Sequence, residues 1–251
     1  MRRRVWNVVR MEWAGIAATP SSLLFLAVIP VLLVGQAVFL SWIVPRFVNP
    51  AILGPGAGDA DAFRLLILKQ FPLFVLLIPA MIANVFATLG IVEEKVTRTL
   101  EPLLATPVRT WELLVGKIVA GAVPALLVAW ASAALFTAAG FGLGWGSLLR
   151  ILFTPTFFLS MFLLMPAVSL MSFVIGVIGS SRASDAKAAQ NLAVVIIFPI
   201  FALIAVQVTG LVEFTPLRTL LLALALFAVD ALLLRAAVRL FARESIVTRW
   251  K

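Results

Sequence analysis

Six stretches of the chain, residues 22–45, 72–92, 115–140, 150–178, 191–209 and 217–240, are apolar over a length close to or beyond the roughly 20 residues that a helix needs to cross a bilayer. Hydrocarbon offers no water to backbone N–H and C=O groups, so such a segment satisfies them internally by folding as a helix. The expected fold class is therefore all-α, a polytopic membrane protein with six transmembrane helices in a single domain over 1–251. The longest polar interval, "PRFVNPAILGPGAGDADAFRLLILKQ" (45–70), reads as an irregular loop leading into an interfacial turn.

Composition narrows what such a bundle can do. The residues are 63% hydrophobic and 12% charged, against roughly 25% charged in a soluble domain. His, Cys and Tyr are absent, which excludes Cys or His metal sites, Ser-His-Asp or Cys-His nucleophile pairs, His-ligated haem and disulfides. The net charge of +9 would suit nucleic acid, but its basic residues sit at the edges of the apolar runs, where membrane topology accounts for them. Fifteen of the twenty Lys and Arg fall in the N-terminal segment, the intervals after the second and fourth runs, and the C-terminal segment; five fall on the other side. By the positive-inside rule both termini are cytoplasmic, in the inner (plasma) membrane. The first apolar run is too long for a signal-peptide core and reads as a retained span.

Ahead of that run, residues 1–20 have an amphipathic pattern. Trp6, Val9, Trp13, Ile16 and Ala17 share one helical face, with Arg3, Asn7 and Arg10 on another, as expected for a helix lying in the interface on membrane lipid. Between spans two and three, 93–114 repeats the theme. Val96, Leu100, Leu103 and Leu104 form one stripe, and Glu94, Arg98 and Glu101 pair at helical spacing. Pro102 breaks that helix, while Thr106-Pro107 is a cap and start signal for the helix entering span three. Two readings stay open for the segment: a linker lying on lipid, or a docking element, since Glu93-Glu94 are poor ligands for an anionic leaflet.

Inside the spans, Asp230 stands near the middle of span six, where a carboxylate costs about 2.5–3.5 kcal/mol on insertion scales and so faces protein or water. Asn84 and Thr88 share one face of span two, and Gln207 lies in span five. Each could hydrogen-bond between helices or line a pathway. Ala125, Ala129, Ala133 and Thr137 form a small-residue stripe that admits a close helix neighbour, and "GFGLGWG" (140–146) reads as an exit turn.

The run "EEKVTRTLEPLLATPVRTWELLVGK" resembles the segment after the second span of ABC-2 type transporter permeases. The layout agrees over the whole chain: a basic N-terminal helix, six spans, the polar "SSRASDAKAAQN" loop and the closing "LFARESIVTRWK". The resemblance implies a permease subunit of an ABC exporter, with an N-terminal elbow helix and a cytoplasmic coupling helix between spans two and three. It implies a homodimer docked on two copies of an ABC ATPase subunit, and spans two and five near the dimer axis. Glu93, Glu94, Thr99, Leu100, Glu101, Leu103, Leu104, Thr106, Pro107, Gly116 and Lys117 match the motif, with a role in mechanical coupling to the ATPase. Independently, the sequence has no G-x-x-x-x-G-K-[ST] loop, so this chain is expected to bind no cofactor and to catalyse nothing, ATP and Mg belonging to the partner. An ion-coupled secondary transporter and a membrane-embedded lipid-modifying enzyme are the alternatives. Against the first stand a single mid-membrane carboxylate and no visible repeat; against the second, acids at Glu93, Glu94 and Glu101 that pair with neighbouring bases.

Overall fold

The computed structural model describes residues 2–43, 60–96, 110–182, 197–209 and 211–240. Every element in them is helical: α1 (Arg2–Ala18), α2 (Pro20–Trp42), α3 (Ala60–Val75), α4 (Leu77–Val96), α5 (Thr110–Gly142), α6 (Gly146–Leu152), α7 (Pro155–Leu159), a π-helical turn (Ser160–Leu164), α8 (Met165–Arg182), α9 (Ile197–Val208) and α10 (Pro216–Leu240). Five stretches among these are long and apolar enough to span a membrane: Ser22–Trp42, Ile67–Thr88, Thr110–Gly142, Pro155–Ser180 and Pro216–Leu240. The sixth expected span, 191–209, is described only as α9, whose 12 residues reach about 18 Å, short of a bilayer core. Residues 191–196 lie outside the described set.

Proline and threonine set the breaks. Thr19 ends α1 with an extended backbone, its hydroxyl donating to the Gly15 carbonyl at 2.9 Å, and Pro20 opens α2, where a missing N–H costs nothing. The second span begins earlier than its hydropathy suggests. The helix already runs from Ala60, where an irregular loop was expected, so Arg64 and Lys69 are carried on helix at the membrane edge. Arg64 there donates to the Ser41 carbonyl at 3.3 Å and stacks over Trp145 at 5.9 Å. A polar rim shortens the apolar run without breaking the helix. The break comes at Leu76, three residues before Pro79, whose ring crowds the carbonyl of Val75 and cannot donate to it.

Span four contains a subtler interruption. The Met165 N–H bonds the Ser160 carbonyl, an i+5 register, so the next bond would run from residue 166 to the Met161 carbonyl. Residue 166 is proline and has no N–H. The Trp130 indole Nε1 in α5 donates to that carbonyl instead, at 3.0 Å. Trp130→Phe keeps the ring volume but strands the acceptor. A loss of about 1–3 kcal/mol is expected in thermal unfolding of the detergent-solubilised chain; an unchanged midpoint would show that water takes over the role.

The spans are not equivalent. The apolar windows of spans two and four are 78% and 61% buried, those of the first and last 17% each, so α4 and α8 form the centre while α2 and α10 line the rim. The centre is closed by small residues. A Cβ on Gly176 of α8 would lie 2.8 Å from the Ala87 Cβ and 2.9 Å from the Asn84 Oδ1 of α4. One on Gly121 of α5 would lie 2.3 Å from the Phe173 ring of α8. Ala125, Ala129 and Ala133 are buried along α5, and Gly144 takes φ +83° in the turn that ends it, a conformation open to glycine.

Candidate functional site

The N-terminal helix packs chiefly against the first turns of α5. Val8 and Val9 are buried, and Gly116 leaves the gap that Val8 fills: a Cβ at 116 would come within 2.7 Å of the Val8 Cγ1. One turn along α1, the Glu12 carboxylate meets the Lys117 ammonium at 2.6 Å. The adjacent Trp13 Nε1 donates to the Ala120 carbonyl at 3.0 Å. A close approach, an ion pair and a hydrogen bond thus follow one another along two crossing helices. The lysine is 5% exposed, so its charge is drawn out of water and held against the Glu12 carboxylate of α1. In such surroundings a charge-assisted hydrogen bond is stronger and more directional than at an open surface.

This contact gives α1 a side that faces the bundle. Trp6 is 52% exposed and Ala17 is exposed, while Val8 and Val9 are the most buried residues of the helix. Val9 and Trp13 of the apolar stripe lie on that side, together with Val8 and Glu12, while Trp6 and Ala17 are left for the interface. Arg3, Arg4 and Arg10 remain on the exposed side. Trp6 still packs edge-on against Trp13, with ring centroids 5.9 Å apart.

Of the residues matched to the permease motif, Gly116 and Lys117 are therefore the seat of the N-terminal helix. Glu93 and Glu94 close α4, with side chains outside the described set. Thr99, Leu100, Glu101, Leu103, Leu104, Thr106 and Pro107 lie outside the described residues.

Of the intramembrane candidates, Asn84 and Thr88 are brought together. Asn84 and Thr88 are buried on α4 at its crossing with α8, the Thr88 hydroxyl donating to the Asn84 Oδ1 at 3.1 Å. Gln207 is on α9, its side chain outside the described set. Asp230 lies on the buried face of α10 with Thr219, Ala223 and Ala237, 6% exposed, and neither carboxylate oxygen has a hydrogen-bond partner among the described residues. No group of three acids that could hold a metal occurs among the described residues.

Glu12 is the residue that sequence reasoning missed. Its signal was available, a lone acid in an arginine-rich helix, but its partner is 105 residues away. The same holds for Gly176, which nothing local distinguishes from any glycine in a membrane span.

The family model described as ABC-2 family transporter protein matches residues 64–233, which takes in every span from the second to most of the last. No curated protein matches the chain.

Proposed function

This chain belongs to the ABC-2 transporter family, and from that premise we propose that it is the permease subunit of an ATP-binding cassette exporter, coupled to a separate ATPase subunit. As a multi-pass membrane component of that family it is not itself the catalyst. In the proposed assembly two permease copies form a homodimer in the inner membrane with both termini cytoplasmic, docked on two ATPase subunits that bind ATP and Mg. The segment 93–114, with its motif residues, is the coupling element. Closure of the ATPases on ATP would push on it, and the spans would reorient to move substrate out of the cytoplasm or inner leaflet.

The observation that carries this reading is the seat of α1 on Gly116, Lys117 and Ala120. It ties the elbow helix to the span that directly follows the coupling segment. A displacement of either element is then transmitted to the other, and both act on α5 at once. Family membership also favours this reading over an ion-coupled transporter or a lipid-modifying enzyme.

Co-purification tests it. An ABC ATPase encoded beside this gene should be captured by the wild-type chain and lost with Glu94→Arg/Leu100→Asp, in which the acidic and apolar features of the segment are both inverted. If no ATPase associates with the wild type, the proposal is wrong. Asp230, with Asn84, Thr88 and Gln207, is proposed to act in the pathway or its gating. Asp230→Asn should leave ATPase capture intact and alter ATP turnover of the reconstituted complex; unchanged turnover would remove Asp230 from that role.

A further inference from the structure

At the end of the bundle remote from α1, a cavity of about 480 Å³ opens between the start of span two, the start of span four and the 211–215 connection that precedes α10. None of the residues discussed for coupling or gating lines it. Its lining comes from the first residues of the apolar stretches Ile67–Thr88 and Pro155–Ser180 and from the connection just ahead of Pro216–Leu240, so it sits where three spans begin. The volume is that of a site for a small organic group, in the roughly 300–1,000 Å³ range of ligand pockets.

The lining has two characters. Leu73, Phe157 and Phe214 give an apolar surface, and Lys69, Gln70 and Glu213 give one cation, one amide and one anion. Lys69 and Glu213 place opposite formal charges on one lining, so a group carrying both charges finds a counter-charge for each. Gln70 adds a preference for donors. It is 5% exposed, and its Oε1 accepts no hydrogen bond among the described residues. A buried acceptor without a donor is costly, and an occupant with N–H groups that drew the amide toward it would relieve that cost.

We propose that this cavity binds the head group of a zwitterionic phospholipid bearing a primary amine, the ammonium on the side of Glu213 and Gln70, the phosphate toward Lys69, and the glycerol and first methylenes on the apolar lining. The site belongs to one copy of the chain and holds whether or not an ATPase associates, so its test is separate from that of the transport reading.

Native mass spectrometry of the full-length chain in detergent, titrated with phosphatidylethanolamine or phosphatidylglycerol, reads it directly. The wild type should retain phosphatidylethanolamine in preference. Gln70→Leu should weaken that retention by about tenfold, the scale of one hydrogen bond to a charged group. Glu213→Lys, at an exposed position outside the helices and so without consequence for folding, should reverse the preference toward the anionic lipid. Equal retention of both lipids by the wild type, or a Glu213→Lys variant with unchanged preference, overturns the proposal. Displacement of the lipid by free phosphoethanolamine at comparable concentration also overturns it, because the ligand would then be the soluble zwitterion.

Discussion

Glu12→Ala is expected to destabilise the chain by about 3 kcal/mol, and more than Lys117→Met does, although the two residues share one ion pair at 2.6 Å. The asymmetry comes from burial. The Lys117 side chain is 6% exposed and that of Glu12 is 19% exposed. Removing the acid leaves an ammonium in the interior without the carboxylate that offsets its desolvation, and breaking a buried pair from that side costs roughly 3–5 kcal/mol. Removing the lysine leaves a carboxylate that already reaches water, and methionine fills the space of the stem, so a loss nearer 1 kcal/mol is expected. The double variant Glu12→Ala/Lys117→Met should recover part of the loss of Glu12→Ala, since both charges are then gone.

Thermal unfolding of the detergent-solubilised chain measures these differences. Limited trypsin digestion reports the cause, because release of α1 from α5 should speed cleavage at Arg3, Arg4 and Arg10. Equal midpoints for the wild type and Glu12→Ala would mean that the ion pair does not hold the helix. If the midpoint falls without faster cleavage in α1, the loss arises elsewhere in the bundle.

Gly176→Ala should be the most damaging one-carbon addition in the protein's centre. The new methyl would meet the Ala87 Cβ at 2.8 Å, the Asn84 Oδ1 at 2.9 Å and the Asn84 backbone carbonyl at 3.2 Å. Backbone cannot swing aside, so α4 and α8 have to separate. Overpacking of this kind costs about 1–3 kcal/mol, and it displaces Asn84 from its bond with Thr88 as well. Gly121→Ala makes a shorter contact, 2.3 Å, but with the ring edge of Phe173, a side chain that can turn; its cost should be smaller. Gly15→Ala and Gly35→Ala are the controls. Nothing lies within 4 Å of either position, so both should be neutral or slightly stabilising through helix propensity. An order in which Gly35→Ala destabilises as much as Gly176→Ala would show that the α4–α8 crossing is not the tight contact.

Much of the architecture was legible locally. Pro20 marks the turn into α2, glycine occupies the one left-handed turn position among the described residues, and the alanine stripe of α5 is buried. Other features needed partners. The π-helical turn depends on Pro166, which the sequence displays, but its persistence depends on an indole from α5 that covers the freed carbonyl. The early start of span two was hidden because Arg64 and Lys69 lower the hydropathy of a segment that is helical all the same. In the candidate site, Gly116 and Lys117 stood out through their motif, but what they touch did not. Glu12 sits 105 residues away, and no periodicity links the two.

Sequence by itself determined that this chain crosses a membrane as helices and that it resembles ABC-2 permeases. Those properties follow from length, hydropathy and a contiguous motif, which are local and additive. Only the tertiary structure decided which face of each helix is inside. In water an apolar stripe points to the core, but lipid tails are as apolar as a protein interior, so a residue such as Leu164 at the centre and Leu224 at the rim carry the same signal. Between them, the difference is made by close packing and by the few polar contacts, and those exist only once distant helices have met.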